Sequence, residues 1–233
     1  MSGVNRYRVE EMITRLILAL LVSTAAWAQA AKPERFATAI AAFLEQDKVS
    51  APPRGGILFI GSSIFRQWKN LGEQMAPLPV YNRAFGGSQT TDILHYMDQV
   101  ALPYAPRMIV YYCGSNDVNA GRTAGEIAQG YREFAARVHA KLPETRIYYV
   151  SILRAPQKKD RWDVVDAANS MVESFSKTDP RLGYIDANPA VFHTSGQPRI
   201  ELYQKDLLHY LEPAYVEFTA IIRPVIERSW KSR

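Results

Sequence analysis

The sequence predicts an α/β fold, a three-layer α/β/α sandwich built on a five-stranded parallel sheet. Two observations carry that expectation. Five short runs, at residues 56–60, 78–81, 108–113, 147–152 and 182–185, are apolar almost throughout. Strands of that kind are covered on both faces, as parallel strands are. Around them lie segments whose apolar residues recur at helical spacing, and strands alternating with amphipathic helices build βαβ units. In a flavodoxin-like arrangement the functional crevice opens at the carboxyl ends of the strands, beside the first and the third.

The elements follow in order. Residues 33–47 carry Phe36, Ile40, Phe43 and Leu44 at helical spacing, with Pro33 in the first turn. Ser50-Ala51-Pro52-Pro53-Arg54-Gly55 breaks that helix. Thr123 and Glu126 form a capping box ahead of Ile127, Tyr131, Phe134 and Val138 on one helical face. Residues 160–177 carry Trp162, Val165, Val172 and Phe175. Residues 213–230 carry Tyr215, Phe218, Ile222 and Ile226, and Pro224 is expected to kink that last helix.

Composition excludes several classes. With 47% hydrophobic and 22% charged residues, the chain has enough apolar content for one ordinary core, so it is neither a disordered tail nor a fibre. The single cysteine, Cys113, leaves no internal disulfide and no Cys-rich zinc site. Lys and Arg number 28 against 23 Asp and Glu, but they are scattered, so no nucleic-acid partner is expected.

The N-terminus reads as an address. Residues 16–27 are apolar and uncharged, follow Arg6, Arg8 and Arg15, and are too short to span a bilayer. Small residues then offer cleavage near Ala28 or Ala30, which completes a signal-peptide pattern over 1–30. Met12 is an alternative start. The expectation is a single domain over 31–233, periplasmic or secreted, with no stable membrane insertion once the signal is removed. No Cys follows the apolar run, so no lipid anchor is expected there.

The chemistry gathers where strands end. Strand one runs into Gly61-Ser62-Ser63-Ile64, strand two into 82–88 with Gly86-Gly87, and strand three into Gly114-Ser115-Asn116-Asp117. After strand five a long loop reaches Asp206-Leu207-Leu208-His209. Acyl transfer needs a hydroxyl nucleophile, a base within reach and donors for the developing oxyanion. A Ser opening the helix after strand one, either Ser62 or Ser63, suits the first role. His209, with Asp206 three residues before it to hold its tautomer, suits the second. Asn116 and the Gly-Gly turn can donate to an oxyanion. No role requires a cofactor or a metal, and His95, His139 and His193 have no ligand-like spacing. Trp162, Phe192 and Tyr203 are candidates for the substrate pocket. Cys113 reads as a core residue and Asp117 as a loop-bonding one.

These blocks resemble those of the SGNH hydrolases, also called GDSL esterases and lipases. Phe59 to Ile64 are similar to the first block of small bacterial members related to platelet-activating-factor acetylhydrolase catalytic subunits. The resemblance implies Ser63 as nucleophile, His209 as general base and Asp206 as its orienting carboxylate. It implies an oxyanion hole of the Ser63 N–H, Gly87 and the Asn116 side chain. Ser62 stands where the family signature has Asp, and Leu207, Tyr210 and Leu211 replace Gly, Leu and Asn of the last block. Without that Asn, Glu212-Pro213 is left to start the final helix. The resemblance implies a carboxylic ester hydrolase with an open site for short acyl groups such as acetyl, on a small-molecule or glycan-linked ester. Longer acyl chains, as in a lysophospholipase or thioesterase, are the alternative, and a catalytically silent glycan-binding module is the rival from another class.

Overall fold

The computed structural model describes residues 33–232. The expected leader over 1–30 lies outside them. Five parallel strands, β1 (Ile57–Gly61), β2 (Val80–Asn82), β3 (Met108–Tyr112), β4 (Arg146–Val150) and β5 (Leu182–Ile185), form one sheet in the order β2-β1-β3-β4-β5. The helices are α1 (Ala37–Ser50), α2 (Ser63–Arg66), α3 (Leu71–Met75), α4 (Thr90–Val100), α5 (Ser115–Asn119), α6 (Ala124–Lys141), α7 (Trp162–Ser176) and α8 (Glu212–Lys231). β1 and β3 are neighbours at the centre, paired from Ile57 opposite Met108 to Gly61 opposite Tyr112. Chain direction reverses its order there, so the loops after both strands open onto one crevice.

Two cores explain the near-continuous apolar strands. Leu58, Ile60, Ile109, Tyr111, Ile147 and Tyr149 pack on one face with residues of α1, α4, α6 and α7. Ile57, Phe59, Met108, Val110 and Tyr112 pack on the other with Trp68, Met75, Tyr215 and Phe218. Successive strand residues point to opposite faces. At roughly 1.5–3 kcal/mol for each fully buried large side chain, both faces contribute heavily to stability.

The five-stranded parallel sandwich is as expected, with strand ends shifted by one or two residues. The α4 helix was not anticipated, although Ile93, Leu94, Met97 and Val100 supply its buried stripe. Its first turn is closed by the Gln89 N–H donating to Asp92 at 2.8 Å. The helix after β1 is short: α2 ends at Arg66 and Trp68 packs just beyond it. α8 begins at Glu212-Pro213 without a side-chain cap and runs as one helix through Pro224.

Candidate active site

The turn after β1 begins with a glycine that β3 demands. Gly61 has φ +148, and a Cβ there would fall 1.9 Å from the Tyr112 carbonyl oxygen. The Ser62 N–H then donates to that same carbonyl at 3.0 Å, which turns the chain out of the sheet. Ser62 is buried and its hydroxyl has no partner among the described residues. Ser63, the first residue of α2, instead brings its Oγ to 2.9 Å from His209 Nε2.

The His209 loop is built by Asp206. One carboxylate oxygen accepts the Leu208 and His209 N–H groups at 3.1 and 3.0 Å, closing an Asx turn. The other accepts His209 Nδ1–H at 2.6 Å. With Nδ1 as donor, Nε2 is free to accept from the Ser63 hydroxyl. Burial works to raise the Asp206 pKa, but the hydrogen bonds from the His209 ring and the two backbone N–H groups hold it at about 2. Leu207, standing where the family pattern has Gly, adopts φ +55 at the tip of this turn. Its carbonyl accepts the Gln157 N–H at 3.2 Å.

The remaining expected residues converge on the same edge. Asn116, in α5, donates through Nδ2 to the Ser88 carbonyl at 3.0 Å, which leaves its second amide hydrogen available. Asp117 accepts the Thr90 N–H at 3.1 Å, as a loop-bonding residue would, and burial raises its pKa to about 6. Cys113 is buried with its Sγ 3.5 Å from the same Ser88 carbonyl. The Ser88 hydroxyl donates to the Gly61 carbonyl at 3.2 Å, tying this loop to the turn that carries Ser63. Gly87 is exposed with φ +84, and neither its N–H nor that of Ser63 donates to a carbonyl among the described residues.

Sequence reasoning missed Arg35 and the segment around Gln157. Arg35 pairs with Asp92 at 2.7 Å and donates to the Gly87 carbonyl at 3.3 Å, so the start of the N-terminal helix region braces the Gly-Gly turn. Its pairing across 57 residues has no local signal. Of the pocket candidates, Tyr203 is buried against Tyr210, their rings 4.7 Å apart. Trp162 and Phe192 pair edge-to-face at 5.6 Å with Arg154 over both rings. His139 donates through Nε2 to the Thr145 carbonyl, 2.9 Å away. Among the described residues no group of three His, Cys, Asp or Glu is placed to hold a metal, and no helix is long and apolar enough to cross a membrane.

The sequence model of the GDSL-like lipase/acylhydrolase family matches residues 59–215, a span holding Ser63, Gly87, Asn116, Asp206 and His209. The chain belongs to that family. Among its relatives is platelet-activating factor acetylhydrolase IB subunit alpha1 of Homo sapiens, 24% identical over 172 residues that cover 72% of each chain. Among solved structures, a GDSL-like lipase from Bacteroides thetaiotaomicron superposes with a TM-score of 0.65 at 19% identity, covering 85% of this chain and 98% of that one. A carbohydrate esterase family 3 protein from Talaromyces cellulolyticus superposes with a TM-score of 0.61 at 16% identity, covering 77% and 99%. As a GDSL-family enzyme, the chain is a carboxylic-ester hydrolase with serine-hydrolase chemistry.

Proposed function

We propose that the enzyme hydrolyses short-chain acyl esters through a Ser63-His209-Asp206 triad. The observation that carries this is the unbroken relay from Ser63 Oγ to His209 Nε2 at 2.9 Å and from His209 Nδ1 to Asp206 at 2.6 Å. Ser63 Oγ attacks the ester carbonyl while His209 takes its proton, and Asp206 stabilises the imidazolium. The Ser63 and Gly87 N–H groups and the free Asn116 amide hydrogen hold the oxyanion. His209 then protonates the leaving alcohol, and afterwards activates a water that releases the acid from the acyl-enzyme.

The short-acyl reading is supported by the openness of the site. Gly87 and Asp206 are exposed, as are Arg66, close to Ser63 in the chain, Lys205, beside Asp206, and Leu207. The same fold serves a carbohydrate esterase, in keeping with a glycan-linked acetyl ester. The pattern over residues 1–30 supports export to the periplasm or beyond; N-terminal sequencing of the cell-exported protein should begin near Ala31.

The test is hydrolysis of p-nitrophenyl acetate, butyrate and octanoate by the wild type, Ser63→Ala and Ser62→Ala. Loss confined to Ser63→Ala, with acetate turned over fastest, is expected. Retained turnover in Ser63→Ala would overturn the nucleophile. Fastest turnover of octanoate would overturn the short-acyl preference and favour a lysophospholipase- or thioesterase-like role.

A further inference from the structure

We propose that Arg66, with Lys69 beside it, forms an anion-recognition subsite of this esterase, so that preferred substrates carry a carboxylate or phosphate near the scissile ester. The proposal rests on Ser63 being the nucleophile. Ser63 and Arg66 stand three residues apart in the single turn of α2, a spacing that puts both on one helix face. The Arg66 side chain lies against Gly86: a Cβ on that glycine would come within 2.5 Å of the guanidinium Nε and 3.2 Å of Cζ. The next residue is Gly87, whose free N–H is assigned to the oxyanion. The guanidinium therefore lies on the turn that receives the carbonyl oxygen.

The Arg66 guanidinium is not committed to a carboxylate, although its charge is felt by Tyr215 in the same cavity wall. Arg35, Arg83, Arg181 and Arg199 each pair with a carboxylate. The exposed Arg66 guanidinium makes no hydrogen bond or ion pair with any described residue. It also lines a cavity of about 500 Å³ whose other cation, Lys69, is likewise exposed and unpaired among the described residues. The cavity's carboxylate, Glu212, already accepts the Asn70 amide at 2.6 Å. Gln67 and Gln204 supply further polar lining, and the Gln204 N–H donates to the His209 carbonyl at 2.8 Å, which joins the cavity wall to the base loop. A guanidinium fork matches a carboxylate or phosphate bidentately, and beside an ammonium it favours that charge over a neutral group.

Three acetyl esters of para-substituted phenols test this: 4-acetoxybenzoate, 4-acetoxyphenyl phosphate and the neutral methyl 4-acetoxybenzoate. The readout is the ratio of kcat/KM for each anionic ester to that for the neutral one. A general disturbance of the Gly86 turn cancels in this ratio, as does leaving-group acidity when variants are compared. Arg66→Gln should lower the ratio about threefold to fivefold, mainly through KM, Arg66→Glu should lower it further, and Arg66→Lys should recover part of it. The phosphate and carboxylate arms separate the two kinds of anion. An unchanged ratio in Arg66→Gln, with the neutral ester still hydrolysed, would overturn the subsite alone. If the wild type turns over none of the three and a fluorophosphonate fails to label Ser63, the nucleophile assignment falls and the subsite with it.

Discussion

Lys158 donates its ammonium to the Ser115 hydroxyl at 2.8 Å, from a position only 2% exposed. Ser115 opens α5, one residue before Asn116. The residue before Lys158 donates its N–H to the Leu207 carbonyl, two residues before His209. One short stretch after β4 thus holds both the helix of the proposed oxyanion donor Asn116 and the loop of the proposed base His209. No carboxylate pairs with the buried ammonium among the described residues, and burial pulls its pKa down to about 8.

Lys158→Met is expected to separate stability from activity. The folded-state pKa lies below the ordinary lysine value, so the unfolded chain binds more protons between about pH 8 and 10.5. Wild-type stability should therefore gain about 3 kcal/mol from this group as pH rises through that window. Urea unfolding at pH 7.5 and pH 10 should show that the gap between wild type and variant closes or reverses, while kcat of the variant falls at both. A pH-independent gap would contradict the buried charge.

Asp117 should act in the opposite direction. Its folded pKa of about 6 stands above the unfolded value, so its protonated form favours folding below about pH 4, and that contribution is lost as pH rises through 6. Asp117→Asn keeps a carbonyl oxygen to accept the Thr90 N–H and removes the charge. Denaturation midpoints from pH 4 to 7 should therefore fall less for the variant than for the wild type. The difference amounts to about 3 kcal/mol at most. Parallel curves would rule the contribution out.

Replacing Asn116 by Ala should lower kcat about 10²–10³-fold with little change in KM, the cost of one preorganised oxyanion donor. Asp206→Asn should lower kcat on the order of 10²–10⁴-fold, because an amide can hold His209 in the wrong tautomer. With its pKa held at about 2, Asp206 keeps its charge across the working range, and the stability that its hydrogen bonds supply is lost only as pH falls toward 2. A wild-type kcat profile that tracked Asp206 titration above pH 4 would exclude this role.

Leu207→Gly should raise stability by up to about 1 kcal/mol, since a leucine at φ +55 carries left-handed strain that glycine does not. Thermal unfolding of the variant checks this. A clear loss of stability would show that the Leu207 side chain contributes more by packing than its backbone loses by strain.

Several features were legible in the linear chain because their causes are local. Continuous apolar runs at β3 and β5 announced buried parallel strands, and the Thr123-Glu126 capping box marked the start of α6 within a residue. Small polar residues after β1 and β3, with His209 three residues beyond Asp206, announced ester chemistry. The spacing of Asp206 and His209 was enough, since the Asx turn that joins them closes within four residues. The α4 stripe is local too, but the helix opens on Gln89 rather than on a Ser, Thr, Asp or Asn cap, so its start carries a weak signal.

The residue pattern by itself leaves Ser62 and Ser63 both open, the family resemblance favours Ser63, and the tertiary structure shows why Ser63 is the one that meets His209. Both follow the same glycine, and the choice rests on the Tyr112 carbonyl, 50 residues away in the neighbouring strand, capturing the Ser62 N–H. The bracing of Gly87 by Arg35, the anchoring of Asn116 on Ser88 and the burial of Lys158 against Ser115 are likewise long-range. Local pattern determines which face of a strand or helix is apolar. Which polar group meets which across the crevice is set only when the sheet order β2-β1-β3-β4-β5 brings distant loops to one edge.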